Sequence, residues 1–174
     1  GKIEVIVSGK DWDDFSIVTY DDSPIGFSSE EELDTAFRMG GKKERSDDDI
    51  GSFHMGAKSS TLSKFRDIAI FTKIGSDFYH RRMNKVEIGE IYKPEKNQTY
   101  PLAEQIQKKI KKEDYTTAFV CYNPLSRLFN SDTQIKKSSI DGFCEGLSLF
   151  LGIIYEKILT ANPNLTIMVN NETV

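Results

Sequence analysis

Metal-ligand and disulfide chemistry have little to work with in this sequence. Its only cysteines are Cys121 and Cys144, and its only histidines are His54 and His80. Two cysteines make no disulfide framework, and neither histidine stands at ligand spacing from a cysteine, so a zinc site is not expected. No run approaches the roughly 18–20 apolar residues needed to cross a bilayer, and the N-terminus carries no signal-peptide pattern. The sequons at Asn97, Asn164 and Asn171 mean little without such a signal. These absences leave no membrane partner and an intracellular protein, cytoplasmic or nuclear. A basic excess is lacking too. The net charge is -4 with 29% charged residues, which fits a soluble chain. It gives no support to nucleic-acid binding except through other domains.

What is present is length and pattern. At 174 residues the chain suits one domain, 1–174, with a sizeable core. "KIEVIV" alternates, with Ile3, Val5 and Val7 on one side, and predicts a strand. "FSIVTY" predicts a second, joined to the first as a hairpin through "SGKDWDD". The acidic "DWDD" lacks the central glycine and closing glutamate of a calcium loop, so a turn is the better reading. "SSEEELDTAFRMGG" predicts a helix capped by Ser28 or Ser29, with Glu31 or Glu32 at the capping-box position, Leu33 and Phe37 inward, and Gly40-Gly41 as the stop.

"DIAIFTK" and "DFYHRRMN" predict a strand pair turning at Gly75, and "KVEIGEIY" a further strand. "YPLAEQIQKKIKKED" predicts a helix with Leu102, Ile106 and Ile110 stacked. Its lysines 108, 109, 111 and 112 read as a solvated face. "YTTAFVCY" is the strongest strand signal. The segment from Asn123 to Lys137 is irregular. A long helix follows, with Ile140, Phe143, Leu147, Phe150, Leu151, Ile154 and Ile158 as a continuous apolar stripe. "LTIMV" and "NN" give a last strand and turn. Together these elements suggest an α+β sandwich.

Phosphate chemistry is suggested by "IGSFHMGAKSS", where Gly51 and Gly56 stand at Walker spacing but Ala57 intrudes before Lys58 and Ser59. A Walker loop also needs a buried strand before it, and "ERSDDD" is a solvated acidic run. Two readings remain. One is a different glycine-rich phosphate loop, in which Lys58 near a helix start favours an intervening anion; the other is a turn into a surface helix. No serine or cysteine has a visible base partner for nucleophilic catalysis.

Read in order, "TYDDSPIGF", "GKK" followed by "IGSFHMGAKSS", and "DYTTAFVCYN" resemble the nucleotide-binding boxes of the GHKL ATPases. That superfamily includes DNA gyrase B, the ninety-kilodalton heat-shock chaperone, histidine kinases and MutL, and the likeness is nearest to the MORC-type branch. The long helix and "LTIMVNNETV" are similar to the end of that domain. The resemblance implies a Bergerat-type two-layer α/β sandwich, with a mixed sheet and helices on one face. It implies an adenine nucleotide, ATP or ADP, as ligand. In the intact protein, binding would drive a conformational change or homodimerisation.

Residue by residue, Asp22 matches the aspartate that accepts the adenine amino group, with Asp21 as the alternative because "DDSPIGF" permits two registers. A carboxylate can pair with that amino group and would oppose the carbonyl of guanine. Asp22 is preferred here because it places Gly26 on the second glycine. Gly51, Gly56, Lys58 and Ser59 match the phosphate loop, Thr117 the threonine that approaches the base, and Lys42 and Lys43 the charged lid. Ser23 or Pro24 replaces the first glycine, Thr116 the glycine before Thr117, and His54 the middle glycine of the second box. His54 either crowds the triphosphate path or donates to a phosphate. Family members carry an earlier helix with a water-activating glutamate and a magnesium-holding asparagine. Neither has a match here: either the chain is cut after that helix or the natural product lacks it, and in both cases the chain alone is expected to hydrolyse ATP poorly.

Overall fold

The computed structural model describes residues 1–11, 14–24, 26–37, 61–84, 102–125 and 137–174. Within them the chain forms strands β1 (Lys2–Ser8), β2 (Ser16–Asp21), β3 (Phe65–Ile74), β4 (Asp77–Asn84), β5 (Thr117–Pro124), β6 (Thr166–Val169) and β7 (Glu172–Thr173). The helices among these residues are α1 (Glu30–Phe37), α2 (Ala103–Glu113) and α3 (Lys137–Ala161). All the strands join one sheet in the order β4-β3-β5-β2-β1-β6-β7. Only β1 and β6 run parallel, so the sheet is mixed and the class is α+β, as the sequence suggests. The expected strand "KVEIGEIY" and the stop at Gly40-Gly41 lie outside the described residues.

Local chemistry explains the turns. Gly9, at φ 142°, begins the β1–β2 connection, and a Cβ there would stand 2.6 Å from the Phe15 backbone. Only glycine fits that approach. The Asp14 carboxylate then accepts the N–H groups of Lys10 and Asp11, at 2.6 and 3.0 Å, and Asp11 accepts that of Asp14. The acidic run thus serves the hairpin turn. Gly75 at φ 62° turns β3 into β4. Asn170 and Asn171, at φ 47° and 70°, form the two-residue loop of the β6–β7 hairpin, where both positions need positive φ. At α1, Ser29 caps Glu32 N–H at 3.1 Å while Glu32 reaches back to Ser28 N–H at 2.8 Å.

The helices do not all share one face, which corrects that part of the expectation. Leu33 and Phe37 of α1, with Cys144 and the half-buried Ile140, Phe143, Leu147 and Leu151 of α3, pack over Val5, Val7, Ile68 and Cys121. Ile106 and Ile110 of α2 instead join Val18, Tyr20, Ala69, Phe71, Ala118 and Val120, which project from the opposite side. The strands β2, β3 and β5 are apolar on both sides, and each side needs a cover.

Two ionic networks lock these helices down. On the α1 side, the buried Arg81 of β4 pairs with Glu30 and Asp34. On the α2 side, Glu4, 1% exposed, accepts Tyr115 O–H at 2.6 Å and faces Lys109 Nζ at 2.9 Å. Lys109 also meets Glu113 at 2.9 Å, and Glu113 meets Lys2 at 3.1 Å. The stripe of α3 divides along its length. Ile140, Phe143, Leu147 and Leu151 reach the core, whereas Phe150, Ile154 and Ile158 are exposed, as are Leu149 and Ile153.

Candidate functional site

The site grows from the strand register. Asp21 closes β2 opposite Thr117, the first residue of β5, and Thr117 stands opposite Thr72 of β3. Directly paired residues project to the same side, so Asp21, Thr117 and Thr72 form a polar row on the α1 side. The row borders the apolar cluster that contains Phe119, Ile70, Ile17 and Phe27. Thr72 is fully buried, and its Oγ1 lies 3.2 Å from Thr117 Oγ1 and 3.4 Å from the Thr116 carbonyl.

The loop after β2 is tied to this row by side chains. Asp21 Oδ1 accepts Ser23 N–H at 2.8 Å, which bends the chain away from the strand. Thr116 Oγ1 donates toward the carbonyls of Asp21 and Ser23 at 3.0 and 2.8 Å, and Thr116 N–H also donates to Asp21 O at 2.8 Å. The loop then crosses the start of β5. A Cβ on Gly26 would sit 3.5 Å from Thr117 Oγ1 and 3.7 Å from Thr116 Oγ1.

Asp21, Gly26 and Thr117, expected from the sequence, are therefore brought together. Asp22 is not among them. Its Oδ1 accepts Lys2 N–H at 2.5 Å while its own N–H donates to Lys2 O, so its carboxylate extends the β1–β2 ladder. The Tyr115 phenol, whose ring belongs to the α2 side, is raised first by burial and then by Glu4, with the Asp22 charge adding last. Lys42, Gly51, His54, Gly56, Lys58 and Ser59 lie outside the described residues. Sequence reading missed Thr72. The available signal was a hydroxyl interrupting the apolar run "DIAIFTK" in a strand that pairs with β5.

The other polar clusters are occupied by structural work. The buried Asp67 accepts from Arg82 at 2.9 Å, Asn84 at 2.6 Å and Asn123 at 2.6 Å, joining the far ends of β4, β3 and β5. Lys109 is drawn under α2, and Lys111 lies over the Phe78 ring at 5.0 Å, so the basic run is no continuous charged face. Burial pushes the Cys121 thiol up to about 12, and Cys144 is raised by burial as well. His80 stacks on Phe71 at 5.3 Å. Among the described residues no group of three or more His, Cys, Asp or Glu could hold a metal ion, and no helix is long and apolar enough to cross a membrane. No family model matches the chain, and a search of curated proteins finds no match either.

Proposed function

We propose that this chain binds an adenine nucleotide, ATP or ADP, in the manner of a GHKL-type domain, with Asp21 rather than Asp22 accepting the adenine amino group. The observation that carries the reading is the row Asp21–Thr117–Thr72, with the Gly26 loop lying over Thr117. A carboxylate accepts only, so it selects an exocyclic N–H donor. Thr117 and Thr72 share hydrogen bonds, and a hydroxyl can donate or accept, so Thr117 suits either a ring nitrogen or a bridging water. The row borders half-buried apolar side chains, Ile17, Phe27, Ile70 and Phe119, against which a base would lie. Phosphate binding by Gly51, Gly56, Lys58 and Ser59, with Lys42 and His54, rests on the sequence resemblance alone. Magnesium belongs to the resemblance alone, held there by an asparagine that has no match in this sequence. The proposed role is binding coupled to a conformational change or dimerisation.

Calorimetry with a non-hydrolysable ATP analogue tests this. Asp21→Asn is expected to weaken binding by about tenfold or more, since a donor amide replaces the acceptor facing a donor. Asp22→Asn is expected to act mainly on stability. Ligand at about a hundred times its Kd should add about 2.7 kcal/mol, roughly 5–10 °C in Tm for a chain of this size. Equal binding by wild type and Asp21→Asn would remove Asp21 from the site. A protein-interaction module that keeps the fold without nucleotide is the second reading. It is favoured by the apolar face of α3, where Leu149 and Ile153 are each 67% exposed. An unchanged Tm at millimolar ATP would favour it.

A further inference from the structure

Thr116 stands where the resemblance calls for glycine, and its side chain has a definite task. Its one hydroxyl hydrogen is shared between the carbonyls of Asp21 and Ser23, at 3.0 and 2.8 Å. Its backbone is held from the other side, because its carbonyl accepts Lys73 N–H at 2.9 Å. The hydroxyl therefore links β5, itself anchored on β3, to both ends of the turn that carries the Asp21 carboxylate. The same side chain underlies Gly26, whose Cβ position lies 3.7 Å from Thr116 Cβ. A glycine at this position would leave the Ser23 carbonyl without that donor and the turn with one fewer restraint. The bond from Ser23 N–H to Asp21 Oδ1 lies within the turn and moves with it.

We propose that Thr116 is a positioning residue for base selection: it fixes the Asp21 carboxylate at the 6-position of the purine, and so sets preference for a 6-amino over a 6-oxo base. The inference rests on the adenine reading above and names the selectivity of that same site. A 6-oxo purine presents an acceptor to the carboxylate, so a well-placed carboxylate rejects it, while a loosely held one can turn aside.

The test compares ATP with inosine triphosphate, measured by calorimetry on the 174-residue chain and its variants well below each Tm. Wild type is expected to prefer ATP by about tenfold or more. Thr116→Val and Thr116→Gly are expected to narrow that preference to about threefold or less, and Thr116→Ser, which keeps the hydroxyl, to retain it. A purely structural role would lower the Tm of the variants and leave the ratio unmoved. Thr116→Gly carries the test if the valine methyl disturbs the turn. If wild type binds neither nucleotide, or both equally, the adenine reading fails and this inference with it. If wild type discriminates and the valine and glycine variants do so equally, only the role of Thr116 falls. Loss of selectivity in Thr116→Ser as well would show that the hydroxyl is not the cause, and would overturn the proposal.

Discussion

Replacing Lys109 by methionine should expose how the α2 side of the sheet is held. Methionine keeps an unbranched apolar stem and removes the ammonium that stands 2.9 Å from the buried Glu4 carboxylate. At that distance, with an effective dielectric near 20, the gross attraction is about 6 kcal/mol. Breaking a buried pair by removing one partner costs about 3–5 kcal/mol, because the other charge stays buried. Glu4 keeps its bond from Tyr115 O–H, and the Lys109 side chain is 23% exposed, so water offsets part of the loss. A cost of about 3 kcal/mol follows, or roughly 6–12 °C in Tm for a chain of this length. Glu4→Gln should cost less, about 1 kcal/mol, since Lys109 retains Glu113 and an amide oxygen can still accept from Tyr115. In the double variant no charge is stranded, and its cost should fall about 2 kcal/mol short of the sum. Urea unfolding at pH 7, with the slope checked for constancy, measures all of these. Lys109 also holds the Glu113 carboxyl below its ordinary value of 4.5, chiefly through their hydrogen bond. That contribution is present above pH 4.5 and is lost as pH falls through the lowered value, so the gap between wild type and Lys109→Met should narrow on acidification. If Lys109→Met costs under about 1 kcal/mol, or the single costs add to within about 0.5, the buried pair does not hold α2 as argued.

Three other outcomes are expected. Arg81→Met should cost less than the paired change Glu30→Gln with Asp34→Asn, because only the latter strands a buried guanidinium, whereas the two carboxylates retain access to water; chemical unfolding of both compares them. The Tyr20 phenol is pushed up to about 12, first by burial and then by the charges of Glu4 and Glu113. Its contribution is complete below pH 10 and is lost as pH rises through about 12. Alkaline titration followed by tyrosinate absorbance should show a late-ionising group that Tyr20→Phe removes. With its thiol pushed up to about 12 and its side chain buried, Cys121 should resist a thiol reagent at neutral pH in the folded chain and react on unfolding.

How much of this was legible in the sequence depends on which physical signal each feature carries. The hairpins, the capping at Ser29 and the inward set Leu33, Phe37, Ile106 and Ile110 follow from local chemistry and periodicity, and they stand in the structure. Strand alternation shows which residues share a side but not which side is dry. Glu4 looks like a solvent-facing residue in "KIEVIV", yet α2 covers it from about a hundred residues further along the chain. The signal that β5 has two covered sides was present in "TAFVCY", an apolar run without alternation. In the candidate site, glycine spacing favours Asp22, whereas the β2–β5 register places Asp21 beside Thr117. Spacing along a chain is a weaker constraint than pairing across a sheet, because one extra residue in the loop restores the glycine but cannot move the strand.

The same register has a consequence that can be measured without any nucleotide. Three consecutive residues divide three tasks: Tyr115 bonds buried Glu4, Thr116 holds the turn, and Thr117 joins the polar row. Two consecutive aspartates divide similarly, Asp21 toward its own turn and Asp22 toward β1. The turn is thus held by side-chain bonds from both neighbouring strands, and a site ordered in this way gives up little further conformational freedom on binding. The amides of Ser23 and Thr116, which donate to Asp21 Oδ1 and Asp21 O, should therefore exchange slowly in the ligand-free chain. In Thr116→Val the Ser23 amide should exchange faster, by about fivefold for the loss of one ordinary hydrogen bond. The amides of Val18 and Val120, deep in the same pair of strands, should be unchanged. Exchange of Ser23 at the rate of an open chain in wild type would mean that the turn is not formed beforehand, and that Thr116 does not hold it.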